Sequence, residues 1–179
     1  APSSSTTNLY LGINGSKGTA DATADQIGLK RDVFTKVGKY DRHALALTAE
    51  GIVALGENTD ATFFALASLE QILDHEAADG LPSVTIYDYA DQKSRGLVEG
   101  FYGYPYSVDV KKDLMRFMMR YKMNTYLYGA KSDPYHSNYW KQPYPTTISA
   151  EQKKNGWLSQ DMIKEIATMS HQTKVNFIW

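Results

Sequence analysis

Two stretches decide how this chain is read: Arg95-Gly-Leu-Val-Glu-Gly-Phe-Tyr-Gly-Tyr-Pro-Tyr106 and Tyr128-Gly-Ala-Lys-Ser-Asp-Pro-Tyr-His136. In each, a short apolar run ends in a cluster of Gly, aromatic and charged residues. Between them, Asp109 to Met123 carries Leu114, Phe117, Met118 and Tyr121 at helical spacing. The unit is strand, helix, strand: Gly96 to Phe101, Asp109 to Met123, Asn124 to Tyr128. Ser159 then caps a helix running to about Thr173, and Val175-Asn-Phe-Ile-Trp179 is a third strand. This alternation implies parallel strands joined by right-handed crossovers. In a (β/α)8 barrel, the carboxyl ends of such strands hold the active site.

The expected fold class is α/β. Residues 94–179 read as the first part of a (β/α)8 TIM barrel, strand-helix-strand-helix-strand, and a closed barrel takes about 250 residues. The chain is therefore expected to be the N-terminal piece of a longer protein; the alternative is a complete protein with a small three-stranded α/β layer. Polar residues Asp88 to Ser94 mark a boundary, and residues 1–93 are expected to form a small α+β domain. Its strands are Asn8 to Ile13, His43 to Thr48, Gly51 to Leu55 and Ser83 to Tyr87. Ala49-Glu50 makes the second and third a hairpin. A weak helix spans Thr19 to Leu29. A stronger one, capped by Asp60, carries Phe63, Leu66, Leu69, Ile72 and Leu73, and Gly80 and Pro82 stop it. Both helices are expected on one face of the sheet.

Composition narrows the function classes. Hydrophobic residues make up 42% of the chain and the net charge is −1. No basic run stands out, so no nucleic-acid partner and no membrane partner are expected. Cysteine is absent, which removes a disulfide framework and thiolate metal sites. No second His stands at ligand spacing from His136, so no metal or cofactor is expected. Ala1 to Thr7 reads as a disordered start that could follow a removed signal, consistent with a secreted or periplasmic bacterial protein. Asn14-Gly-Ser16 is a formal glycosylation sequon, a common pattern.

The candidate site lies at the strand ends. Val98, Gly100 and Tyr102 share one face of the first strand; Leu97, Glu99 and Phe101 share the other. Gly100 has no side chain, so a ligand can approach its backbone. Thr125, Leu127, Gly129 and Lys131 share a face of the second strand and its extension, which puts Lys131 at the carboxyl end. Lys131 is either a contact to a polar ligand or an ion-pair partner for Asp133 or Glu99, and Tyr102 either stacks on a ligand or packs at the rim. Glycoside chemistry normally needs two carboxylates flanking the bond, and no convincing pair exists among Glu99, Asp109, Asp113 and Asp133. Asp109 and Asp113 are expected in solvent, Glu99 buried and paired, and Asp133 at the start of a turn. Residues 132–157 read as a long loop whose Tyr135, Tyr139, Trp140 and Tyr144 either wall a sugar site or pin the loop. Met115, Met118, Met119 and Met123 are core filler.

At these residues the chain resembles glycoside hydrolase family 84, the β-N-acetylglucosaminidases that include O-GlcNAcase and hyaluronidase-type proteins. Arg95-Gly-Leu-Val-Glu-Gly-Phe-Tyr-Gly103 looks like the family's opening barrel strand. Lys122-Met-Asn-Thr-Tyr-Leu-Tyr-Gly129, Lys131 with Asp133-Pro-Tyr-His136, Pro143-Tyr-Pro145 and Val175 to Trp179 follow in order and spacing. The first domain is similar, more loosely, to the α+β domain that precedes the barrel in hexosaminidase families.

The resemblance implies substrate-assisted, retaining hydrolysis of terminal N-acetylglucosamine on a glycan or glycoprotein. In that chemistry one Asp orients the acetamido group and its neighbour is acid, then base. It implies that this Asp pair lies beyond Trp179, leaving no catalytic residue in this chain and the chain alone inactive, with the rest of the barrel as its partner. It implies that Gly100, Tyr102 and Lys131 contact the sugar. The chain departs from the family pattern at Tyr104-Pro105-Tyr106, where Thr-Pro-Trp is usual, and at Ser132-Asp133, where two Asp are usual. These changes leave substrate preference open. Other readings are a hyaluronidase-like glycosidase and a non-catalytic carbohydrate-binding or scaffold protein.

Overall fold

A computed structural model describes residues 7–76, 80–100 and 102–179. Residues 1–6, expected as a disordered start, and Phe101, expected as a strand end, lie outside the described residues. The chain divides into two compact units, residues 1–93 and 94–179.

In the first unit, β1 (Leu9–Ile13), β2 (Tyr40–Thr48), β3 (Gly51–Gly56) and β4 (Val84–Ala90) form one sheet in the order β1-β3-β2-β4. β1 runs parallel to β3, and β2 is antiparallel to both β3 and β4. The β2–β3 hairpin turns at Ala49-Glu50, with Thr48 paired to Gly51. β4 runs on to Ala90, so Asp88 to Ala90, read above as boundary, belong to the sheet.

The helices do not share one face. All six residues of β3 are buried, as are five consecutive residues of β2, His43 to Leu47. A strand buried on both sides must be covered on both sides. α1 (Thr19–Gln26) places Ala20 and Ala24 against Ala44, Ala46, Val53 and Leu55. α2 (Thr59–Glu76) places Ala65 and Leu69 against the opposite row, Leu45, Leu47, Ile52 and Ala54. Unbroken apolar runs in β2 and β3 carry no alternation, and that absence is the sequence signal for two covered faces.

Two glycines permit the close approaches. A Cβ on Gly12 would stand 2.7 Å from the Ala20 Cβ, and one on Gly56 would stand 2.1 Å from the Thr62 backbone N. The Asn58 side chain, not Asp60, caps α2, accepting from the Ala61 N–H at 2.9 Å. Phe64 rather than Phe63 is the fully buried ring on that helix.

In the second unit, β5 (Gly96–Glu99), β6 (Thr125–Tyr128) and β7 (Asn176–Ile178) form a parallel sheet in sequence order. α3 (Val108–Arg120) connects β5 to β6. Between β6 and β7 lie α4 (Pro134–Ser137), α5 (Ala150–Lys154) and α6 (Gln160–Thr173). The expected long loop thus contains two short helices, capped by Asp133 and Ser149. Ser107 and Ser159 cap the two longer helices.

The core gathers Met115 and Met118 of α3, Ile166 of α6, and Tyr126 and Tyr128 of β6, with Leu97 and Phe177 packed against them. Fully burying a large apolar side chain of this kind contributes about 1.5–3 kcal/mol. The apolar stripe on α3 is rotated from the expected one. Val108, Lys111, Met115 and Met118 face inward, while Phe117 and Tyr121 are exposed, their rings tilted against each other with centroids 4.7 Å apart. The opposite face of this sheet is open: Val98, Leu127 and Ile178 stand in one row across the three strands and are 57%, 38% and 44% exposed.

Candidate functional site

The carboxyl ends of β5 and β6 lie side by side. The Gly129 N–H donates to the Glu99 carbonyl at 3.2 Å, extending the ladder one step past both strands and bringing Gly100 next to Gly129. A Cβ built on Gly100 meets nothing within 4 Å, so its backbone faces open space. Further out, the Ser132 hydroxyl donates to the Gly103 carbonyl at 2.7 Å. Tyr102 and Lys131 flank this bond in the chain, and both are exposed, Tyr102 to 93%. The structure therefore brings the surroundings of Gly100, Tyr102 and Lys131 together. Tyr102 does not pack at a rim. Lys131 pairs with neither Asp133 nor Glu99, because both carboxylates are taken by other groups.

Glu99 is buried on the helix-facing side of β5. Its Oε1 accepts from the Lys111 ammonium at 3.1 Å and from the Tyr106 N–H at 2.7 Å; its Oε2 accepts from the Tyr126 hydroxyl at 2.7 Å. Lys111 is fully buried, also donates to the Tyr106 carbonyl, and lies 5.0 Å from the centre of the Tyr128 ring. Burial pushes the Lys111 ammonium below its ordinary pKa, against the opposing pull of Glu99. The same burial, with the Glu99 carboxylate alongside, pushes the Tyr126 phenol well above its ordinary value.

Asp133 is the second buried carboxylate. It accepts from the Tyr128 hydroxyl at 2.8 Å, the Tyr144 hydroxyl at 3.0 Å and the Tyr135 N–H at 3.0 Å. It does begin a turn, as the cap of α4, but it is also the hub that ties the segment after α4 back to β6. Burial and the Asp133 charge raise the pKa of both phenols far above the ordinary value. Tyr135 packs against Tyr139, Tyr144 and Trp157, so these rings pin the segment to its own unit, whereas Trp140 is 68% exposed. His136 stands edge-on to Tyr128, and its Nδ1 is buried with no hydrogen-bond partner.

The remaining carboxylates on α3 are surface groups: Asp109 pairs with Lys112 and Asp113 with Arg116. Among the described residues, no group of three or more His, Cys, Asp or Glu is placed to hold a metal ion, and no helix is long and apolar enough to cross a membrane. The residue that sequence reasoning missed is Lys111. Its signal was present: Val108, Lys111, Met115 and Met118 follow 3-4-3 spacing, so the lysine falls within the buried stripe.

Comparison with known proteins gives the same segment. Residues 95–179 match the family model for beta-N-acetylglucosaminidase. Protein O-GlcNAcase from Rattus norvegicus is 43% identical over 49 residues, which are 27% of this chain and 5% of that protein; the Mus musculus protein matches equally. The solved structure of CpGH84D is 36% identical, with a TM-score of 0.81, over 97% of this chain and 27% of that one. The structure of CpGH84B is 29% identical, with a TM-score of 0.64, over 87% of this chain and 25% of that one. The chain thus spans about a quarter of the length of these solved relatives and a twentieth of the curated ones. The mixed α/β architecture, the motifs at the two strand ends and these matches agree: residues 95–179 carry the beta-N-acetylglucosaminidase family segment, and the chain resembles glycoside hydrolase family 84.

Proposed function

We propose that residues 94–179 are the sugar-binding start of a (β/α)8 barrel in a retaining β-N-acetylglucosaminidase, and that residues 1–93 are the α+β domain that precedes it. The observation that carries this reading is the open ground at Gly100, at the end of a parallel strand inside the segment that matches the family. The exposed row Val98, Leu127 and Ile178 supports the barrel: inward-facing side chains of a barrel pack against the other strands.

The substrate is a glycan or glycoprotein with terminal N-acetylglucosamine. The Gly100 backbone carbonyl accepts from a sugar hydroxyl, the Lys131 ammonium donates to another sugar oxygen, and the Tyr102 ring borders the sugar. The Gly100 carbonyl and the Lys131 ammonium hold the sugar and supply no carboxylate. Glu99 and Asp133 are each held by three donors, and Asp109 and Asp113 sit in surface pairs, so none of these four is set for acid–base work. The family resemblance assigns the acetamido-orienting Asp and its acid–base neighbour to chain outside residues 1–179. In that mechanism the substrate's acetamido oxygen attacks the anomeric carbon as the aglycone leaves with a proton, and water then opens the oxazoline with retention. Adjacent carboxylates divide such roles when their surroundings push their pKa values apart.

The test is Lys131→Ala in the full-length protein, assayed on an aryl β-N-acetylglucosaminide. The expected loss in kcat/KM is about 100-fold, equal to about 2.7 kcal/mol of transition-state binding. Hydrolysis at the parent rate removes Lys131 from the site. Absence of hydrolysis by the unmutated full-length protein, with retained binding of N-acetylglucosamine, converts the reading to a carbohydrate-binding protein. The 179-residue chain alone is expected to release no aglycone.

A further inference from the structure

We infer that Lys111 is a positioning residue that clips shut the base of the segment carrying Gly100 and Tyr102, an assignment that rests on the sugar-binding reading of those two residues. Between Glu99 and Tyr106 the chain leaves β5, runs past the candidate sugar contacts and returns to the start of α3. Both ends of this excursion meet at one buried cation. Lys111 donates to the Glu99 carboxylate at 3.1 Å and to the Tyr106 carbonyl, and Glu99 in turn accepts from the Tyr106 N–H at 2.7 Å. Lys111 has no exposed surface and Glu99 only 3%.

The described residues of the excursion give the clip something to hold. Tyr102 and Tyr104 are 93% and 73% exposed, so their rings supply little packing to hold the backbone. Among the described residues, two other tethers act in the middle: the Ser132 hydroxyl on the Gly103 carbonyl, and Pro105 against Gly156, where an added Cβ would come within 2.3 Å of the proline ring. Neither acts at the base, where the Tyr106 N–H bonds Glu99 directly and Lys111 adds a second link through the Tyr106 carbonyl. A lysine on the first turn of α3 completes that junction, because its ammonium reaches both ends at once. A compact ammonium on a flexible stem suits two acceptors on different parts of the chain, the Glu99 carboxylate and the Tyr106 carbonyl.

Two experiments separate the clip from the activity. The first uses the 179-residue chain and chymotrypsin, following cleavage after Tyr102 by mass spectrometry, with no substrate involved. Lys111→Met is expected to raise the cleavage rate about tenfold. Because Lys111→Met leaves a lone buried Glu99 carboxylate that destabilises the unit, Glu99→Gln/Lys111→Met is made beside it; it removes both charges and is expected to show the same rise. The second measures steady-state hydrolysis of an aryl β-N-acetylglucosaminide by the full-length protein and both variants, well below the melting temperature. A positioning role predicts KM raised about tenfold with kcat within twofold, the signature of lost binding common to ground and transition states.

Unchanged cleavage after Tyr102 in the folded variants overturns the clip. Raised cleavage with unchanged KM shows a purely structural lysine and overturns the positioning role. If the unmutated full-length protein does not hydrolyse the substrate, the sugar-site reading and the positioning role fall together, while the cleavage rates still decide the clip.

Discussion

The two units solve the same problem, a sheet that needs covering, with different materials. In residues 9–90 helices lie on both faces, and the sheet's centre is Ala, Val, Leu and Ile. In residues 96–178 helices cover one face only. The core beneath that face contains two carboxylates, an ammonium and three phenolic hydroxyls, hydrogen-bonded to one another or to backbone. An apolar core needs only volume and pattern, whereas a buried polar network needs every partner in place. The polar network also stands directly under the strand ends where Gly100, Gly129 and their loops emerge. The first unit is held by apolar packing; in the second, an apolar core is joined by buried polar bonds under the candidate site.

The largest break in this contrast is expected from Glu99→Ala. It strands the Lys111 cation and frees two further donors, a change that costs about 3–5 kcal/mol for a buried pair. Hydrogen exchange should show residues 94–179 losing protection while the β2 and β3 amides keep theirs; equal loss in both units would refute the division. Next is Phe64→Ala, which empties a fully buried ring site on α2. About 3–4 kcal/mol should be lost from the first unit, read by denaturant unfolding, with no effect on the second.

Asp21 gives a smaller, pH-dependent test. Burial raises its pKa, but the N–H groups of Gly15 and Lys17, the Ser16 hydroxyl and Arg31 together lower it below the ordinary value. A lowered folded-state pKa stabilises above the unfolded value of 3.8 and loses that contribution as pH falls through the folded one. Asp21→Asn should therefore cost about 1 kcal/mol at pH 7 and flatten the acid side of the first unit's stability curve. The smallest effect belongs to Lys112→Ala. Its bonds to Asp109 and Glu165 are exposed, and the melting temperature should not move measurably.

Much of the architecture was legible in the sequence because it rests on local signals. Hydrophobic runs gave the strands, Ser159 fits its cap, and the spacing of Gly100 to Lys131 marked the strand ends. The errors came where tertiary contacts choose between local options. Asp60 and Asn58 are both plausible caps, and only the backbone path selects Asn58. Phe117 and Tyr121 lie at helical spacing, but the phase of α3 is set by Lys111 finding Glu99. The pairing of Lys111 rather than Lys131 with Glu99 could not be read from spacing, because it joins residues on different elements through their buried faces.

The buried phenols give the second unit an optical label of its own. The chain has 13 tyrosines, and in Tyr126, Tyr128 and Tyr144 burial together with a neighbouring carboxylate raises the pKa. A phenol whose folded pKa exceeds its unfolded value of 10 stabilises the fold fully below that value and withdraws the contribution as pH rises beyond it. In alkaline solution, tyrosinate absorbance should thus rise in two phases, exposed rings at once and these three only as their surroundings open. The slow phase is a clock for the opening of residues 94–179 that needs no added dye, no substrate and no mutation.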